Sequence, residues 1–187
     1  MAFNRDYILT DTTLLEVADG FNPRAWLETM KSPLLDFDPL AGEKIQGQAE
    51  KWQINPKLFL VKLQVEQSLI TKKPVNRRAY DWALGLGKTD SKAIAKFRGF
   101  GNQITAFGQL LSSYLDRANT YWVGDKVGKP WYVGDGMVVC KSLATAVLYR
   151  YTPWIGEKDH QKLKAPFGNF LLWLVARRWF PSLVVDE

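Results

Sequence analysis

Residues 55–71, Asn-Pro-Lys-Leu-Phe-Leu-Val-Lys-Leu-Gln-Val-Glu-Gln-Ser-Leu-Ile-Thr, constrain the fold more than any other stretch of the chain. Asn55 is a good N-cap, and Pro56 suits the first helical position, where its missing N–H would have no partner anyway. From Leu58 to Ile70 the run is rich in apolar residues and has no breaker, which predicts one buried helix. At about 100° per residue, Lys57, Gln64, Gln67 and Ser68 fall on or near one side. Glu66 falls on the opposite side, on a stripe with Phe59, Leu63 and Ile70. Gln67 and Ser68, on the far side from Glu66, are expected to hydrogen-bond neighbouring backbone.

A carboxylate on an apolar face costs desolvation energy unless something offsets it. Two arrangements do so. Lys62 lies one turn back and can form a salt bridge, although this is the less favoured order for a Glu–Lys pair. Alternatively the helix lines a cleft and Glu66 is a general acid, a role for which partial burial suits a carboxyl group. The helix by itself leaves both open.

Other features bound the class. A chain of 187 residues suits one domain, 1–187, with a real core. Its longest apolar runs fall short of the roughly 18 residues of a transmembrane helix, so no integral membrane segment is expected. The net charge of +6 and pI of about 9.4 favour an anionic partner. The basic residues are scattered, with no Lys/Arg block and no recognition-helix pattern, which argues against nucleic acid. Of the eight Trp and seven Tyr many are expected in the core, and any surplus could line a sugar-binding groove, since flat rings cover the apolar faces of sugars. Cys140 is the single cysteine and His160 the single histidine. An intramolecular disulfide and a Cys/His metal cluster are therefore excluded, and neither metal nor cofactor is expected. Cys140 reads as core. Residues 1–10 lack the basic-then-apolar pattern of a signal peptide.

The remaining pattern is mostly helical. Tyr7–Thr10 reads as a short extended piece. Asn22-Pro23 starts a short helix through about Met30. Ser32-Pro33 ends it, and Pro33–Leu40 reads as loop. Gly42–Trp52 is a helix with Ile45, Ala49 and Trp52 at helical spacing. Lys72–Asn76 is a basic turn, and Arg77–Leu84 a short helix ending at Gly85. Gly85-Leu86-Gly87-Lys88 lacks the full spacing of a phosphate loop. Asn102 is expected to cap a helix to about Arg117. Residues 121–139, where Tyr-Trp-Val-Gly-Asp is nearly echoed by Trp-Tyr-Val-Gly-Asp, read as a β-hairpin or a pair of extended arms. Ser142 caps a helix to about Tyr149, stopped by Thr152-Pro153. Glu157–Lys164 is a polar loop, and Phe167–Phe180 a last helix. The expected fold class is mainly α (α+β), a helical domain with a small β insertion.

Five segments, in order, resemble a lysozyme-like family of bacterial and phage peptidoglycan hydrolases related to soluble lytic transglycosylases. Ile54-Asn55-Pro56 with Leu63-Gln64-Val65-Glu66-Gln67-Ser68-Leu69-Ile70-Thr71 resembles the segment that carries the family's acid, with Val65 where Lys is usual. Ala83-Leu84-Gly85-Leu86-Gly87 with Asp90-Ser91, then Gly99-Phe100-Gly101-Asn102-Gln103, resemble its next two motifs. Ala144–Pro153 resembles its ATAALYxYTP segment, and Gly168-Asn169-Phe170 with Trp179-Phe180 its closing motif. The resemblance implies a lysozyme-like fold and cleavage of the β-1,4 bond between N-acetylmuramic acid and N-acetylglucosamine. It implies that Glu66 protonates the glycosidic oxygen, that Gly101, Asn102 and Gln103 form the cleft wall, and that Tyr149 and Tyr151 lie near the acid or the sugar. Asn102 and Tyr149 keep a second reading from the residues alone, as a helix cap and as a core aromatic.

Glycosidases usually need two carboxylates, about 5–5.5 Å apart for retention or about 6.5–9.5 Å for inversion. Asp81 and Asp90 are the candidate partners in the segment after the central helix. Asp81 reads equally as a surface acid and Asp90 as an N-cap. A single-carboxylate route fits better: one Glu acts as acid and then base, the substrate's acetamido group assists, and a 1,6-anhydro product forms. The expected partner is the peptidoglycan glycan strand, met by a monomer at the bacterial cell wall. Without a signal peptide, a phage endolysin released through a membrane pore, or a virion-borne lysozyme, fits. A non-catalytic glycan-binding or structural module is the alternative.

Overall fold

The computed structural model describes residues 2–17, 20–88, 92–117 and 123–185. Its helices are α1 (Asp11–Leu15), α2 (Pro23–Thr29), α3 (Pro33–Phe37), α4 (Ala41–Trp52), α5 (Pro56–Gln67), α6 (Arg77–Asp81), α7 (Phe100–Asp116), α8 (Leu143–Tyr151) and α9 (Gly168–Trp179). One antiparallel pair, β1 (Trp131–Val133) and β2 (Gly136–Val138), makes the two-stranded sheet found among the described residues. The chain is mainly helical with a small hairpin. It divides into two units, Glu16–Leu110 and Met1–Leu15 with Leu111–Glu187.

In the unit Glu16–Leu110, one signature starts three helices. Asn22, Ser32 and Asn55 each precede a proline, and each side chain accepts a backbone N–H of the first turn, from Ala25, Leu34 and Lys57. Ser32-Pro33 therefore begins α3, and the expectation of a loop over Pro33–Leu40 is corrected. The Ser32 hydroxyl also donates to the carbonyl of Ile70 at 2.8 Å, tying α3 to the turn after α5. α2 lies against α4 where Gly42 faces the Arg24 backbone. A Cβ there would come within 2.5 Å of the Arg24 Cα, so only glycine permits the crossing.

α5 is the core of this unit. Pro56 and Leu58–Leu63 are buried on every side, so the helix has no single apolar face. Phe59 packs edge-on against Phe107 at 5.1 Å between ring centres. Each such side chain contributes roughly 1.5–3 kcal/mol on leaving water. At Gln64 the helix emerges, and Gln64–Ser68 are half-buried. α5 ends at Gln67, three residues before the expected Ile70. Ser68 takes the left-handed conformation (φ 55°), its N–H bonds to Gln64, and the Leu69 N–H reaches Leu63 at 3.3 Å. This is a Schellman stop with serine where glycine is usual.

In the other unit, Ile8 and Leu9 are fully buried but form no strand. Their N–H groups both donate to the Thr145 hydroxyl, at 2.9 and 3.2 Å, so a side chain satisfies the segment expected to be extended. Asp11 opens α1, which the sequence reading lacked, and accepts the Ala144 N–H at 2.7 Å. Ser142 caps α8 as expected. The hairpin pairs Trp131 with Val138 and Tyr132 with Met137. The Asp135 carboxylate in its turn accepts the N–H groups of Ile155 and Gly156, both at 2.7 Å. The earlier echo leads into a 3-10 turn, Gly124–Lys126, rather than a second strand. Tyr121 and Trp122 lie outside the described residues. No helix among the described residues is long and apolar enough to cross a membrane.

Candidate active site

Glu66 stands in the last turn of α5, where the buried helix reaches the surface. Its side chain is 27% exposed and that of Lys62 only 2%. The Lys62 ammonium donates to Glu66 Oε1 at 2.6 Å. Glu66 Oε2 makes no hydrogen bond among the described residues. A carboxylate at a helix C-terminus faces the negative end of the helix dipole. The buried ammonium one turn back compensates it. Of the two arrangements open in the sequence, the salt bridge is therefore present, and it leaves one carboxylate oxygen uncommitted.

The candidate second acids fare differently. Asp81 is 3% exposed, held by Arg98 at 2.9 Å and Arg77 at 3.1 Å through different oxygens. Burial pushes its carboxyl up, but the Arg98 hydrogen bond and the charge of Arg77 outweigh this and hold it below the usual carboxylate range. It is an interior anchor for two guanidinium groups, and the surface-acid reading is corrected. Asp90 lies outside the described residues.

Gly101 and Asn102 are exposed in the first turn of α7. That helix begins at Phe100, so Asn102 is not its cap; its amide donates instead to the Arg98 carbonyl at 2.7 Å. Gln103 is completely buried. Its Oε1 accepts the N–H groups of Leu84 and Leu86, both at 3.1 Å. Its Nε2 donates to the carbonyls of Leu86 at 2.9 Å and Phe97 at 2.7 Å. All four of its bonding positions are thus engaged by backbone, so Gln103 ties these segments together from the interior. Nothing in its sequence neighbourhood signals this, because the partners lie up to 19 residues away.

Tyr149 and Tyr151 belong to the other unit. Tyr149 is fully buried in α8, its ring 6.4 Å from that of Trp131, and its hydroxyl has no partner among the described residues. Burial raises its pKa, with the charges of Cys140 and Asp6 adding to the effect. This is the environment of a core aromatic. Tyr151 is half-buried. Cys140 is also fully buried, and burial followed by the charge of Asp6 pushes its thiol up to about 12, which fits a core residue.

Two depressions flank the turn after α5. One, of about 340 Å³, begins at Gln67 and Ser68 and is walled by Lys72, Asn76, Arg78 and Lys88, among others. Contrary to the sequence expectation, Gln67 and Ser68 have side chains without hydrogen bonds to backbone among the described residues. The other, of about 440 Å³, is lined by Pro33, Asp36, Phe37, Lys73, Pro74 and Val75. Pro74 and Val75 thus wall both. Phe37 is 37% exposed and its ring lies 4.8 Å from Tyr80, which in turn stacks on Phe100 at 5.1 Å. The described residues contain no cluster of His, Cys, Asp and Glu able to hold a metal ion.

Compared with known protein families, with curated proteins and with solved structures, the chain matches none.

Proposed function

We propose that this protein is a lysozyme-like peptidoglycan glycosidase that cleaves the β-1,4 bond between N-acetylmuramic acid and N-acetylglucosamine, with Glu66 as general acid and base. The observation that carries the reading is the Glu66 carboxyl itself. It is half-buried at the surface end of a buried helix, anchored through Oε1 by Lys62 and uncommitted at Oε2 among the described residues. A rigid mount with one available oxygen is what proton transfer in a fixed geometry requires. The ordered sequence resemblance, in which this residue stands at the family's acid position, supports the same reading.

In this mechanism Glu66 takes up a proton on Oε2, the oxygen that Lys62 leaves uncommitted, and gives it to the glycosidic oxygen as the bond to the muramic anomeric carbon breaks. The carbonyl oxygen of the muramic acetamido group closes on that carbon. Glu66, now a carboxylate, takes the proton of the muramic 6-hydroxyl, whose oxygen displaces the acetamido oxygen and closes the 1,6-anhydro ring. No second carboxylate is needed. Asp81 supports this route over a two-acid one, because both its oxygens are engaged by guanidinium groups and it is shielded from substrate.

A second reading, a non-catalytic glycan-binding module, draws on the same Lys62 contact, since an ion pair alone can account for a retained acid. One experiment separates them: purified peptidoglycan incubated with wild type and with Glu66→Gln, and released fragments weighed by mass spectrometry. Expected are anhydro-muropeptides, lighter by one water at the muramic end, from wild type and none from the variant. Reducing products would replace the transglycosylase with a hydrolase. No release by wild type from several wall types would leave the binding module.

A further inference from the structure

We propose that the cationic depression at the end of α5 receives the carboxylates of the peptide stem on the muramic residue, and so selects peptide-bearing glycan strands. The proposal rests on the peptidoglycan reading above and adds to it the part of the substrate that is recognised besides the sugars.

Lys72, Arg78 and Lys88 wall one cavity of about 340 Å³, and no acidic residue among the described ones lines it. None of the three has a carboxylate partner among the described residues; Lys88 lies over the Trp82 ring, 5.7 Å from its centre. Three described acids of the same unit are engaged elsewhere: Asp36 pairs with Lys73 at 3.7 Å, Asp38 with Lys44 at 2.7 Å, and Asp81 with Arg77 and Arg98. Three like charges around one cavity repel each other, and an anion entering from outside relieves that repulsion.

The donor set matches an oxyanion. Arg78 offers a planar fork that can hold a carboxylate through two parallel hydrogen bonds, and the lysines add point charges. The Gln67 amide and the Ser68 hydroxyl supply neutral donors that no described residue uses. Ser68 also occupies a left-handed position (φ 55°) that glycine would fill with less strain. Keeping a hydroxyl there has a use if the hydroxyl meets a ligand.

Size and position choose the anion. A bare inorganic ion would leave most of this cavity empty, whereas a short peptide fills it. The cavity is lined by Gln67, the residue after the proposed acid, while Glu66 itself stays outside its lining. In peptidoglycan the anionic group nearest the cleaved bond is the peptide stem on the muramic lactyl ether.

The test compares intact peptidoglycan with the same material after an amidase has removed its stems. Wild type is expected to cleave intact strands about tenfold faster, since exposed charge pairs contribute a fraction of a kcal/mol each and three act together. In Lys72→Gln/Arg78→Gln/Lys88→Gln the ratio of the two rates is expected to fall to about one. A ratio near one in wild type, or a ratio kept in the variant, overturns the proposal while leaving the glycosidase reading intact. Cleavage of neither substrate by wild type overturns both. Should the triple variant not fold, Lys72→Glu, a change at an exposed position, is read in the same way. A second measurement is independent of turnover. N-acetylmuramyl dipeptide is expected to raise the melting temperature of wild type and not of the triple variant. An equal rise with inorganic phosphate at the same concentration would overturn the peptide assignment.

Discussion

The Lys62 ammonium donates a 2.6 Å hydrogen bond to Oε1 of Glu66, one turn ahead on the same helix. The lysine is buried and the glutamate emerges, so the pair runs from the core of its unit to the surface. Lys62 thereby fixes the orientation of the proposed acid. Lys62→Met keeps the length of the buried side chain and removes the anchor. Glycan release is expected to fall at least about tenfold, because small misplacements of a catalytic group are costly, while the protein stays folded. Turnover assays beside thermal unfolding check this. Unchanged turnover would mean that Lys62 only balances charge.

Asp81 is expected to serve stability rather than chemistry. Asp81→Asn should cost about 2 kcal/mol at neutral pH, the range of charge-assisted hydrogen bonds whose guanidinium partners can return to water. The pH dependence follows from the direction of its shift. Its folded-state pKa is depressed, so the stability it supplies is present above the unfolded carboxylate value of about 3.9 and is lost as pH falls through the lower folded value. Urea unfolding at pH 7 and below pH 3 should therefore show a gap between wild type and variant that closes in acid. Turnover of the folded variant should stay within a few-fold of wild type.

Gln103 ties the Leu84–Leu86 turn to Phe97 through four backbone contacts. Gln103→Leu leaves buried amide and carbonyl groups without partners, and about 3 kcal/mol of stability should be lost. Faster hydrogen exchange at Leu84 and Leu86 than in wild type would localise the loss. Exchange unchanged at those two amides would contradict the assigned role.

The Tyr149 hydroxyl is buried without a partner among the described residues. Removing an unsatisfied buried hydroxyl should stabilise, so Tyr149→Phe is expected to be as stable as wild type or up to about 1 kcal/mol more so. Thermal unfolding measures it. A melting temperature well below wild type would show that the hydroxyl is bonded. Turnover lost with stability intact would instead place it in the chemistry.

The helix starts were legible because they are local. Asn22-Pro23 and Asn55-Pro56 satisfy their own first turns, and Ser142 does the same without a proline. Ser32-Pro33 carried the same signal, and reading it as a stop rather than a start missed α3. The early end of α5 was not legible, since serine rarely takes the left-handed conformation that stops a helix.

The mainly helical class with one hairpin, the buried central helix and the anomalous acid Glu66 are all written in local pattern. Each follows from neighbours within a turn or two, where apolar spacing and capping chemistry act. The remaining roles depend on partners far along the chain. Asp81 became an anchor because Arg98, 17 residues on, reaches from the surface to its buried carboxylate. Gln103 became a backbone tie, and Thr145 the acceptor for Ile8 and Leu9 across more than a hundred residues. Lys72, Arg78 and Lys88 became one cationic wall only when the turn after α5 brought them around a shared cavity. Burial and charge pairing depend on distance in space, and distance in space is settled only when the chain has packed.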